Sequence, residues 1–124
     1  MPFNIEYDAD QDCIIATFIG EITMTMVKEY ITALLPVVKT TGCHRVLSDS
    51  RSGELSLTSF DIMQFPEMAD ASPLTAKLKR AVLAPSGKSG YELYATLCNM
   101  QGQRVKVFSS RAKAMEWLMS DAEK

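Results

Sequence analysis

The sequence predicts an α/β fold: a mixed sheet with an N-terminal antiparallel hairpin and a parallel C-terminal portion, about four helices, in one domain spanning residues 1–124. Three observations carry this. Two apolar segments, 3–7 and 13–19, flank the turn-rich Asp8-Ala9-Asp10-Gln11-Asp12, which is the pattern of a hairpin. From Thr23 onward, segments of helical period alternate with short apolar strand-like segments. Each late strand–helix–strand interval is long enough for a right-handed crossover, which makes those strands parallel.

The elements follow in order. Phe3-Asn4-Ile5-Glu6-Tyr7 alternates as a half-buried strand, and Cys13–Ile19 is denser in apolar residues, as in a strand covered on both faces. Gly20-Glu21-Ile22-Thr23 leads to a helix capped by Thr23 or Thr25, with Met26 or Val27, Tyr30, Ile31, Leu34, Leu35 and Val38 on its apolar face. Pro36 is expected to kink this helix or end it near Leu35. Gly42 closes the loop before a strand over His44–Asp49, which is expected to break into the polar loop Ser50-Arg51-Ser52-Gly53. Thr58, with Asp61 three residues on, reads as a capping box opening a helix that carries Phe60, Ile62, Met63, Phe65 and Met68 and is interrupted at Pro66. After a loop at Ala69–Pro73 and a short helical turn through Leu78, Lys79–Ala84 is a strand. Pro85-Ser86-Gly87-Lys88-Ser89 turns into a helix with Tyr91, Leu93, Tyr94, Leu97, Cys98 and Met100, stopped by Gly102. Arg104–Phe108 is the last strand. Ser109 or Ser110 caps the last helix, where Ala114, Met115, Trp117 and Leu118 face inward, and residues 121–124 fray.

Composition bounds the role. The chain is 47% hydrophobic with a net charge of -2 and no basic stripe, so nucleic acid is not an expected partner. The start lacks a basic segment followed by an apolar one, and the apolar runs around 13–19 and 31–38 are too short to span a bilayer. Cys13, Cys43 and Cys98 are odd in number and widely spaced, which fits free thiols in a reducing cytoplasm. The eight methionines read first as adaptable core filling and second as a contact surface.

The Gly20-Glu21-Ile22-Thr23 lead-in, the strand ending Leu47-Ser48-Asp49-Ser50-Arg51, and the closing block from Val107-Phe108 to Trp117-Leu118 together resemble the SpoIIAA-like family, which is related to STAS domains and to the lipid-binding CRAL-TRIO (SEC14-like) fold. The resemblance implies a non-catalytic cytoplasmic regulatory or protein-interaction module like the STAS anti-sigma-factor antagonists. It also implies a phosphorylated serine at the start of the helix after the third strand. Ser59 is the nearest counterpart here, with Thr58 where the family has Asp, and the family's Gly is missing. The CRAL-TRIO relation implies the alternative of a small carrier for a lipid or other amphipathic ligand, held under the broken second helix.

The chemistry legible in the residues is sparse. Asp8, Asp10 and Asp12 imitate an EF-hand opening, but Cys13 and Ile19 stand where that loop needs Gly and Glu, so a solvated turn is the better reading. One histidine and scattered cysteines give no zinc spacing, so no metal or cofactor is expected. Cys43 and His44 point to opposite faces of a strand, which makes a poor dyad, and Cys98 reads as a structural thiol. An enzyme using Cys43 or Cys98 is the third reading. Ser86-Gly87-Lys88-Ser89 imitates the end of a phosphate loop, but the first glycine of that motif would fall at Val82.

One collective site remains. Parallel late strands would bring Asp49-Ser50-Arg51, Ser86-Gly87-Lys88-Ser89 and Ser109-Ser110-Arg111 to one rim, where helix N-termini and cations favour an anion such as a phosphorylated ligand. A homodimer is expected through Ile62, Met63, Phe65 and Met68, which are more apolar positions than one buried stripe requires.

Overall fold

Asp8 turns the chain between the first two strands. Its Oδ1 accepts the backbone N–H groups of Asp10 (3.0 Å) and Gln11 (3.3 Å), and Asp12 takes a left-handed φ of 50°, which a short polar side chain tolerates. The computed structural model describes residues 3–58, 60–64, 78–85, 89–100 and 102–120. The expected hairpin is β1 (Phe3–Asp8) paired antiparallel with β2 (Cys13–Ile22), Phe3 opposite Phe18 and Asp8 opposite Cys13. Then come α1 (Met24–Thr41), β3 (Arg45–Leu55), helical residues 60–64 (α2), β4 (Lys79–Leu83), α3 (Ser89–Met100), β5 (Arg104–Phe108) and α4 (Arg111–Met119). The strands lie in chain order, and β2 through β5 are all parallel.

Sequential parallel strands joined by right-handed crossovers put their connections on one face of a sheet. On that face Met26, Tyr30, Leu34 and Val38 of α1 pack on Ile14, Ala16, Phe18 and Val46, while Tyr91, Ala95 and Cys98 of α3 pack on Val82 and Val105. The alternate residues Cys13, Leu47, Ala81 and Leu83 face the other way, where α4 folds back with Ala114, Trp117 and Leu118. The result is three layers, and the sheet is the middle one.

Several expectations need correction. Pro36 does not end α1, which runs on to Thr41. Pro36 and Thr32, whose carbonyl loses its partner, are both exposed, so water can take that carbonyl. Gly42, at φ 71°, is the stop, and its N–H bonds the Val38 carbonyl at 2.9 Å. Strand β2 runs past Ile19 to Ile22, and β3 does not break at Asp49 but continues to Leu55. The two extensions pair with each other, Ile19 beside Ser52 and Ile22 beside Leu55, across an irregularity between Thr17 and Ile19. A side chain at Gly53 would come within 2.9 Å of Ile22 Cδ1, so the close pass there suits glycine. β4 closes at Leu83, and Met100, at the end of α3, is 77% exposed. Of the caps offered, Thr23 and Ser110 serve, accepting from the N–H groups of Met26 and Lys113. The expectations for Ser59, Phe65, Pro66, Met68, residues 69–77, Ser86, Gly87, Lys88 and residues 121–124 lie outside the described residues.

Candidate functional site

On the face that carries α1 and α3, α1 covers the β1–β2 side and α3 the β4–β5 side. Between them, over β3 and β4, lies a cavity of ≈ 80 Å³. Val27, Tyr30 and Ile31 of α1, Ile62 of α2, and Gly90, Tyr91 and Tyr94 of α3 form its walls, and Ser48, Ser50, Arg80 and Val82 lie along its floor. The floor is polar in the middle of the sheet. Ser48, Ser50 and Arg80 are all buried. Arg80 Nη1 donates to the Tyr94 hydroxyl at 2.6 Å and Nη2 to Gln103 Oε1, with Cys98 Sγ at 3.7 Å. The hydroxyls of Tyr30 and Ser48 lie 3.3 Å apart. Arg80 Nε and the Tyr91 hydroxyl are buried without a hydrogen-bond partner, the latter approaching Ser50 without closing a bond to it.

At the expected rim the parallel register aligns three strands, of which β4 and β5 end and β3 runs on to Leu55. Asp49, Leu83 and Phe108 sit in one row, so the chain past each of them reaches the same edge. Along β3 the side chains then part. Ser50 is buried and lines the cavity, whereas Arg51 is exposed. Asp49 takes up Arg51 in a two-pronged pair, Nε to Oδ1 at 3.0 Å and Nη2 to Oδ2 at 2.8 Å. That guanidinium, with Arg111 adding from α4, holds the Asp49 carboxyl below its ordinary value. Ser110 is spent as the N-cap of α4, its Oγ accepting from Lys113 N at 3.4 Å, and Ser109 is exposed. Ser89 opens α3.

The capping box forms as expected. Asp61 N donates to Thr58 Oγ1 and Thr58 N to Asp61 Oδ2, both at 3.1 Å. It holds Phe60 (71% exposed) and Met63 (57% exposed) one turn apart on an outer face. Ile62, expected in the same surface, is instead buried and faces the cavity. Thr58→Ala is expected to lower stability by about 1 kcal/mol in urea denaturation, the usual cost of a lost cap.

The thiols are poor nucleophiles. Burial, reinforced by Cys43, pushes Cys13 from 9.0 up to about 11, and burial also raises Cys43, whose Sγ lies 3.3 Å from the Asp12 carbonyl. Cys98 is fully buried beside Arg80. His44 is exposed and Cys43 buried, so the two diverge. The aspartates of the first turn serve that turn: Asp12 accepts from Tyr7 at 2.8 Å and pairs with Arg45 at 3.1 Å.

The reading of the sequence reached Ser50 but missed Tyr30, Ser48, Arg80, Tyr91 and Tyr94. The signal available was Val46, Ser48 and Ser50 at period two in one strand, which aims all three at one face.

The sequence matches no protein-family model and no curated relative. Among solved structures, the fold is similar to that of an uncharacterised DUF3478-family protein with a SpoIIAA-like fold from Shewanella loihica PV-4, at 21% identity, TM-score 0.59, covering 94% of this chain and 91% of that one. It is similar too to the anti-sigma factor antagonist SpoIIAA in its unphosphorylated form, at 10% identity, TM-score 0.55, covering 93% of this chain and 96% of that one.

Proposed function

We propose that this chain, built on the SpoIIAA-like fold, is a non-catalytic regulatory module that acts by docking a protein surface at α2. The observation that carries this is the pair Phe60 and Met63, two large apolar side chains held outward on one face by a formed capping box. Isolated apolar residues are ordinary on a surface, but an aromatic and a methionine one turn apart make an adaptable contact patch. The SpoIIAA neighbour, an anti-sigma factor antagonist, lends support from the same architecture. The first occupant to test is a second copy of the chain. The double variant Phe60→Glu, Met63→Lys should shift the protein to monomer in sedimentation at rising concentration, with stability changed by no more than about 0.5 kcal/mol. A wild type that stays monomeric at the highest concentration removes the dimer, and cross-linking to a partner that both forms retain equally removes the surface. The anion-binding rim belongs to the same reading, with the α4 N-terminus and Arg111 as its support and Asp49 as a competitor for Arg51.

A second reading, a carrier for a small amphipathic ligand, is favoured by one observation: the cavity between α1 and α3, with polar groups on its floor and apolar walls.

A further inference from the structure

Buried charges in proteins are paired, because an isolated one is costly to desolvate. Arg80 departs from that rule. It is 6% exposed, and its partners are the neutral Tyr94, Gln103 and Cys98. The ion pairs among the described residues, Arg45 with Asp12 and Arg51 with Asp49, lie elsewhere. Its Nε–H has no acceptor, and the Tyr91 hydroxyl on the α3 wall is buried without a partner as well. Both residues line the same cavity. Guanidinium remains protonated at any physiological pH, so among the described residues a positive charge with no carboxylate partner lies at the floor of the cavity. If the fold needed only volume at this position, Met or Leu would serve it better. Local rules of this kind are broken where a site is built.

We propose that this cavity binds a monocarboxylate with a short apolar tail. The carboxylate oxygens accept from Arg80 Nε–H and the Tyr91 hydroxyl, and the tail lies among Val27, Ile31 and Ile62. The charge argues for a carboxylate: one guanidinium balances a monoanion, whereas a phosphate dianion would leave a negative charge unmatched in the interior. The size argues for a short tail, since ≈ 80 Å³ holds the equivalent of several water molecules. The inference rests on the carrier reading and adds to it the ligand's chemistry and the residues that select it.

The test is calorimetric titration of the full chain with propionate and, separately, with propanol. Propionate should bind, and propanol about ten- to a hundredfold more weakly, the range set by hydrogen bonds to a charged group. Arg80→Met should lose the propionate preference, with some loss of melting temperature from the bonds to Tyr94 and Gln103 that it removes. Tyr91→Phe should weaken propionate by several-fold at unchanged stability. If propanol binds wild type as tightly as propionate does, the cavity is a ligand site but Arg80 does not select anions; the proposal falls and the carrier reading stands. If neither ligand binds, both fall. Should Arg80→Met fail to fold, Tyr91→Phe decides, and unchanged propionate affinity in that variant overturns the proposal.

Discussion

Leu47→Ala is expected to lower the unfolding free energy by about 2–5 kcal/mol, the range for truncating a fully buried leucine whose surroundings relax only in part. Leu47 is 0% exposed on β3 and belongs to the cluster that joins Cys13, Ala81 and Leu83 of the sheet to Ala114, Trp117 and Leu118 of α4. α4 has nine residues, too few to be helical in water by itself, so its helicity depends on this packing. A small domain has about 5–15 kcal/mol in total, so the loss is a large share of it and should appear as a fall in Tm of roughly 8–20 °C. Urea denaturation with an unchanged m-value is the measurement that assigns the loss to a cavity. A loss under about 1 kcal/mol would mean that this site collapses freely or that α4 is not seated on it.

Stability is expected to fall by about 2–3 kcal/mol as pH rises from roughly 9 to 11, through the Cys13 thiol alone. That thiol is fully buried, and burial, with Cys43 beside it, raises it from 9.0 to about 11. In the unfolded chain it ionises first, so between the two values the unfolded state has lost a proton that the folded state keeps. The contribution is therefore complete below pH 9, declines between 9 and 11, and is gone above. The buried phenols of Tyr30 and Tyr94, both raised chiefly by desolvation, act in the same direction from about pH 10 upward. Urea denaturation across this range checks the prediction. In Cys13→Ala the decline should shrink to the part due to Cys43 and the tyrosines, and an unaltered slope would place the effect elsewhere.

The parts of the fold legible in the sequence are those where local chemistry and tertiary structure agree. Asp8-Ala9-Asp10-Gln11-Asp12 turns because Asp8 bonds its own following backbone, and Thr58 with Asp61 forms its box, whatever surrounds them. The failures come where neighbours in space overrule the local signal. Ser50-Arg51-Ser52-Gly53 has loop chemistry, yet pairing with β2 carries it on as strand. Pro36 is a helix breaker that faces water, where its missing bond costs little. Lys79 and Arg80 read as a charged strand start, and both are buried, on opposite faces of β4. Lys79 is explained by the end of α4, where its Nζ donates to the Trp117 and Ser120 carbonyls at 2.6 and 2.9 Å. The cavity was hidden for the same reason: its walls come from elements far apart along the chain, and no local period marks their convergence.

The five strands stand side by side in the order in which the ribosome makes them. Each can therefore add to a growing edge already present, and no strand has to be inserted between two others. The exception is the last nine-residue helix, which must travel back across the finished sheet to cover Leu47, Ala81 and Leu83. Until α4 has been made and has left the ribosome, one side of the sheet stays bare, and a nascent chain in that state has its own half-made core to protect.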